Sequence, residues 1–398
     1  MLVKVCDAMC GAGKTSAAIR FMNTATDRRF LFITPRLTEV QRICEQCGAR
    51  EFAEPKSFDS SGKMGSLVSL LRAGRNVAST HALFRRYDQT VADLIREGGY
   101  TLILDEVLDV VDMPPIHPHD VRDAITLKHI AVDDAGIVSW IDDGFRGEFS
   151  KYRTLIQNGN TMLSNTGTLL LWLFSAEVFE SFREVYILTY MFGAQVQRCY
   201  YDLCGIRYEF VGTRKCGDGY EFCAPEEMTF RPALRDKIHI LQNDVVNAVG
   251  DPKFALSASW FERNDCGVDD LRKNLYNVLR NKFGAPSREI MWTTYKEFRS
   301  KLSGSGFTRS FLECTCRATN DYAERRYLGY CVNVFMNPYL RNFFLAREVD
   351  VDQDAYALSE MIQWVWRSAI RNGEEIWLYA PSSRMRELFT NWVEEVSA

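Results

Sequence analysis

The sequence predicts an α/β protein built on parallel sheets, and three observations carry that class. Between residues 3 and 105, short β-branched or aromatic runs alternate with amphipathic segments. A glycine-rich turn ending in Gly13-Lys14-Thr15 stands between the first such run and the first amphipathic segment. From about residue 205 a second series of apolar runs, again separated by helical patterns, repeats the rhythm.

Taken in order, Val3 to Cys6 is a short strand, and Lys14 to Asn23 a helix with Ala17, Ala18, Ile19 and Phe21 as its apolar surface. Arg29 to Thr34 is a second strand and Leu37 to Cys47 a second helix. Asn76 to Ser79, Ala82 to Arg96 and Thr101 to Asp105 continue as strand, helix and strand. Residues 112–165, with Pro114, Pro115, Pro118 and three histidines, read as an insertion. The run Thr168 to Phe174 and the strand Glu184 to Thr189 resume the pattern, followed by a helical stretch from Tyr190 to Leu203.

The second half has apolar runs near Ile238, Leu256, Met291, Val332 and Trp377. Helical patterns lie at Asp269 to Phe283, Tyr295 to Leu302, Ala357 to Ile370 and Ser383 to Val396. Two lobes are therefore expected, 1–204 with the insertion and 205–398.

Composition agrees. A chain of 398 residues suits about two domains. With 46% hydrophobic and 25% charged residues it is neither disordered, collagenous nor a coiled coil. No apolar run approaches the roughly 18–20 residues that cross a bilayer, and the amino terminus lacks a secretory pattern. A soluble cytoplasmic protein without membrane contact is expected. The net charge of −4 gives no global attraction for nucleic acid, so any such contact must be a local groove. The twelve cysteines are scattered, and Cys44-x-x-Cys47 has no second pair to close a zinc site. Reduced thiols are expected, and no metal cage.

The turn Ala8-Met-Cys-Gly-Ala-Gly-Lys14-Thr15 is the most specific signal. Gly11 and Gly13 allow backbone angles closed to other residues, and the N–H groups at the following helix start form an anion nest. Lys14 supplies charge to β and γ phosphates, and the Thr15 hydroxyl can ligate magnesium. Position 8 is alanine where the simple phosphate-loop pattern has glycine. About 90 residues on, Asp105 and Glu106 end an apolar strand, which puts two carboxylates at the carboxyl edge of a parallel sheet. Asp105 suits a magnesium-holding role, and Glu106 the orientation or deprotonation of an attacking water.

These two blocks, in this order, resemble a superfamily 2 helicase of the DEAD/DEAH type. Further blocks extend the resemblance over most of the chain. Thr34-Pro-Arg-Leu-Thr-Glu-Val-Gln-Arg42 is similar to motif Ia, Ser79-Thr-His-Ala-Leu-Phe84 to motif Ic, and Ile187-Leu-Thr189 to motif III. Trp292-Thr-Thr294 resembles motif IV, Arg317-Ala-Thr-Asn-Asp321 motif V, and Gln363, Arg367 and Arg371 motif VI. Compact helicase-like proteins of bacteriophages and mobile elements look nearest.

The resemblance implies two tandem RecA-like phosphate-loop lobes, ATP with Mg2+ as cofactor, and nucleic acid as partner, DNA favoured over RNA. It implies nucleotide contacts from Gly11, Ala12, Gly13, Lys14, Thr15, Ser16, Asp321 and Gln363. Catalysis falls to Lys14, Asp105, Glu106, Arg367 and Arg371, and the metal to Thr15 and Asp105. Nucleic-acid contacts fall to Thr34, Pro35, Arg36, Thr80, His81, Thr293, Thr319 and Asn320. A monomer is expected, with the insertion as a surface for a wedge or a protein partner.

The chain departs from the family pattern in places. The second motif reads Asp-Glu-Val-Leu with Asp109 one place late, motif III lacks Ser-Ala-Thr, and the motif VI arginines stand four apart on one helical face. Thr34 and Thr80 read equally as helix N-caps. Arg367 and Arg371 read equally as a solvated stripe. His117 and His119 read as surface loop. Two rival activities remain: a nucleotide-gated clamp on nucleic acid or protein that does not unwind, and another phosphate-loop motor such as a packaging ATPase.

Overall fold

The computed structural model describes residues 1–57, 62–230, 233–315 and 321–397. Sixteen strands run through them: β1 (Leu2–Asp7), β2 (Arg29–Thr34), β3 (Val77–Thr80), β4 (Tyr100–Asp105), β5 (Val111–Asp112), β6 (Ile130–Val132), β7 (Val138–Trp140), β8 (Thr161–Leu163), β9 (Leu170–Leu173), β10 (Glu184–Thr189), β11 (Tyr208–Cys216), β12 (Gly219–Cys223), β13 (Ile238–Ile240), β14 (Ile290–Thr293), β15 (Tyr327–Tyr330) and β16 (Ile376–Tyr379). The first helices are α1 (Lys14–Thr24), α2 (Leu37–Gln46), α3 (Gly62–Arg72), α4 (His81–Phe84) and α5 (Gln89–Gly98).

The first sheet has the order β12-β11-β1-β10-β4-β2-β3. Every pairing in it is parallel except the terminal hairpin β11–β12. Its central strands are buried along their whole length (β10 throughout, β4 up to Asp105), which is why they read as continuous apolar runs rather than alternating ones. A second sheet, β13-β16-β15-β14, is parallel throughout. Its core includes the fully buried Trp292, whose indole N–H donates to the Phe307 carbonyl at 2.8 Å; burying an indole with its N–H bonded spares the cost of an orphaned donor. The protein is thus α/β with mostly parallel sheets, as the alternation predicts.

Contacts divide the chain into two compact units. One comprises Met1–Ala8, Gly13–Met228 and Asn337–Val351; the other comprises Met9–Ala12, Thr229–Met336 and Asp352–Ala398. The expected boundary at residue 205 needs correction, because the hairpin β11–β12 extends the first sheet beside β1. The insertion also runs further than residue 165. Residues Leu170–Leu173 do not resume the parallel sheet but pair antiparallel with β8 and β5. Together with the hairpin β6–β7 and the helix Pro118–Thr126 they enclose a separate core of Ile116, Val121, Ala124, Ile130, Val138, Phe149, Ile156 and Leu170.

Other corrections are local. Ala82 to Arg96 is not one helix: Thr80 caps α4 by accepting from the Leu83 N–H at 3.4 Å, and Asp88 caps α5 by accepting from Val91 N–H at 3.0 Å. The run near Leu256 is no strand; Leu256 takes a φ of 61° and Ala258–Arg263 is helical. The helical pattern from Ala357 to Ile370 breaks as well. The helix Gln353–Val365 ends before Arg367, and Arg371 sits in a separate turn, Ala369–Asn372, so the shared-face argument for the two arginines fails.

Candidate active site

Strand order assembles the site. β10 lies between β1 and β4, with Thr189 opposite Asp7 and Leu188 opposite Asp105. On the other side of β4 stands β2, with Ile33 opposite Leu104, so Thr34 ends beside Asp105. The carboxyl ends of β1, β10, β4 and β2 form one edge of the first sheet, the place where such folds bind ligands.

At the end of β1 the chain turns through Gly11 (φ 88°) and Gly13 (φ 78°), both in the left-handed region. Ala8 N–H donates to the Thr189 carbonyl at 3.1 Å, and Ala12 N–H to the Met9 carbonyl at 3.1 Å. Gly13 is the N-cap of α1. No side chain caps that helix and its first turn carries no acid, so its positive end is left for an anion. The Lys14 ammonium folds back onto the Ala8 carbonyl at 2.5 Å.

Asp105 is the convergence point. Its carboxylate accepts from Thr15 Oγ1 at 3.4 Å and from Thr34 Oγ1 at 3.1 Å. His81 Nε2 lies 3.0 Å from the Asp105 carbonyl oxygen, which makes that nitrogen the donor. Burial pushes the Asp105 carboxyl up to about 7, with the neighbouring Glu106 charge adding to the rise. A cation beside this carboxyl would favour its ionised form. Thr15 and Asp105 present the hard oxygens that suit magnesium, which usually takes one or two protein carboxylates and completes its shell with phosphates and water. That donor set fits the implied ion, and among the described residues no larger His/Cys/Asp/Glu cluster exists to hold a metal.

Glu106 follows with a φ of 66°, one of few non-glycine residues in the left-handed region, and its N–H donates to the Leu188 carbonyl at 3.0 Å. Strain of this kind persists where surrounding structure imposes it, and it clusters at functional sites. Beside it Thr189 is buried with its hydroxyl unpartnered, while Asp7 accepts from the Met191 and Phe192 N–H groups at 2.7 and 2.9 Å.

Of the nucleotide set, Gly11 to Ser16, Asp105 and Glu106 thus meet at one sheet edge. Asp321 is exposed, Gln363 half-buried, Arg367 half-buried with its Nε unpartnered, and Arg371 exposed. The nucleic-acid set divides. Thr34 is fully buried with its hydroxyl on Asp105, so it steadies the carboxylate instead of meeting a backbone. Thr80 is a helix cap, and His81 is tied to the Asp105 main chain. Thr293 is fully buried, its hydroxyl turned to the Thr294 carbonyl at 3.4 Å. Pro35 and Arg36 are half-buried at the start of α2. Thr319 and Asn320 lie outside the described residues. Sequence reasoning missed the support from Thr34, His81 and Asp7. The residue types are ordinary, and only the order of strands brings them together.

Fold and site together define an α/β protein with a glycine-rich turn between β1 and α1 and an acidic strand end beside it. A family profile described as "YonV C-terminal Rossmann-like domain" matches residues 232–393. The SPbeta prophage-derived uncharacterized protein YonV of Bacillus subtilis (strain 168) is 40% identical over 407 residues, covering 98% of each chain. The protein belongs to the YonV family. Among solved structures, that of S. tokodaii Xpd4 covers 98% of this chain and 94% of its own, with a TM-score of 0.48 and 11% identity. Among the described residues, no helix is long and apolar enough to cross a membrane.

Proposed function

We propose that the protein is a Mg2+-dependent NTP hydrolase, an ATP-driven helicase or translocase acting on nucleic acid, with DNA favoured by the prophage origin of its relative. The observation that carries the reading is the Thr15–Asp105–Thr34 cluster set against the glycine turn and the strained Glu106. Lys14 exchanges the Ala8 carbonyl for β and γ phosphate oxygens. The N–H groups of the turn and of α1 bind the remaining phosphate charge. Thr15 and Asp105 hold the magnesium ion, which neutralises charge on the phosphates when bound. Glu106 orients and deprotonates the attacking water. Asp321, Gln363, Arg367 and Arg371 enter this proposal through the helicase resemblance.

Two clefts in the first unit, of about 660 and 730 Å³, share Arg85, Arg86, Asn158 and Trp172. The Arg85 guanidinium lies 4.9 Å from the Trp172 ring and pairs with Asp112 at 2.9 Å, and Arg86 is exposed. Trp172 is buried beneath Arg85, so the clefts offer cations for the phosphates of a strand and no open ring for its bases. A local cationic cleft of this kind is what nucleic-acid binding by a chain of net charge −4 calls for.

The decisive experiment is NTP turnover measured with single- and double-stranded DNA and RNA. Strand-stimulated turnover is expected, lost in Lys14→Ala, and reduced by about 10²–10⁴ in Glu106→Gln with nucleotide binding retained. Absence of both binding and turnover in the wild type, with every nucleic acid, ends the proposal. A strand-displacement assay then separates an unwinding motor from a clamp.

A further inference from the structure

The glycine turn and the start of α1 account for phosphates, but nothing assigned so far meets the base of a nucleotide. The hairpin β11–β12 supplies a candidate. On β12, residues alternate faces, so Tyr220 and Phe222 share one. Phe222 is locked in place: its ring stacks on Tyr186 at 5.0 Å and meets Phe21 of α1 edge-on at 6.0 Å. Tyr220 continues that row two residues along, towards the phosphate turn. Its ring lies on Gly13, so close that a methyl group added there would run into it. Tyr220 is half-buried, and it has no ring or hydrogen-bond partner among the described residues. The hairpin is held against α1 by Arg20, which donates to the Cys216 carbonyl at 3.2 Å, and internally by the Arg214–Glu221 ion pair at 2.9 Å.

We propose that Tyr220 is the base-contacting residue of the nucleotide site, a ring on which the base of a nucleoside triphosphate stacks once its phosphates occupy the Gly11–Thr15 turn. The proposal rests on the phosphate-loop reading above. Its physical logic is that a half-buried aromatic ring without an aromatic partner, carried on a braced hairpin and touching the phosphate turn, offers stacking area with little ordering cost. Stacking of this sort is tolerant of base identity, because every base has a π face.

The test is calorimetric binding, with magnesium, of two probes to the full chain: an ATP analogue with a non-hydrolysable β–γ bridge, and inorganic tripolyphosphate, which has no base. In Tyr220→Ala the analogue should bind roughly tenfold to a hundredfold more weakly, while tripolyphosphate affinity stays within about twofold. Tyr220→Phe should restore the analogue. Retained tripolyphosphate binding certifies that the variant is folded. Unchanged analogue affinity, parallel loss of both probes, or tighter binding of both (a ring that merely plugs the turn) overturns the assignment. If the wild type binds tripolyphosphate and the analogue equally, the base makes no contact and the assignment also falls. A wild type that binds neither probe overturns the phosphate-loop reading itself.

Discussion

Glu106 holds its backbone strain at the carboxyl edge of the first sheet, where the proposed chemistry would need it. Left-handed backbone costs an L-residue about 1–2 kcal/mol, a cost glycine does not carry. Glu106→Gly should therefore be more stable than Glu106→Ala by about 1 kcal/mol in urea titrations, with turnover lost in both. Equal stabilities would remove strain from the account. The neighbouring Asp105 predicts a pH dependence. Its carboxyl titrates near 7 in the folded chain, above the ordinary carboxylate range it has when unfolded. The native state thus prefers the protonated form. The stability this confers is complete below about pH 4 and declines as pH rises through 7. In metal-free buffer, wild type should lose stability relative to Asp105→Asn across that window, and magnesium with nucleotide should reverse the loss. Parallel stability curves for the two proteins would contradict the assignment.

At the scale of elements, the capping hydroxyl of Thr80 and the carboxylate of Asp88 split one expected helix into α4 and α5, and the break exposes Arg86 beside Arg85 at the edge of the insertion. Replacing both arginines by alanine should weaken single-strand binding across sequences and lower the salt slope by about one per lost phosphate contact, as read by anisotropy titrations at several salt concentrations. An unchanged slope would locate the strand elsewhere. The end of the helix at Val365 is the companion case. The four-residue spacing of Arg367 and Arg371 puts both on one face only if the helix continues, and Arg371 belongs to the next turn.

At the scale of the molecule, the two units interleave along the chain. The segment Asn337–Val351 returns to the first unit, where the Asn342 carbonyl accepts from Asn165, Arg347 donates to Asn165 at 2.9 Å, and the Asp350 carbonyl accepts from Arg198 at 2.8 Å. A fragment ending at residue 228 lacks all three partners. It should melt below the full chain, with faster hydrogen exchange around Asn165 and Arg198; equal protection would show the segment to be dispensable.

The pieces that depend on near neighbours were legible without coordinates. The glycine turn opening α1, the apolar strand ending in Asp105 and Glu106, and the helix Ser383–Val396 all follow from backbone freedom, hydrophobic period and capping over a few residues. The class of fold followed from their alternation. Tertiary structure alone decided that β10 separates β1 from β4, that Thr34 belongs to Asp105, that β11 and β12 join the first sheet, and that Tyr220 rests on Gly13. Pairings between residues from 71 (Thr34 and Asp105) to 207 (Gly13 and Tyr220) positions apart are selected by which buried surfaces match, and spacing along a chain carries no record of that choice.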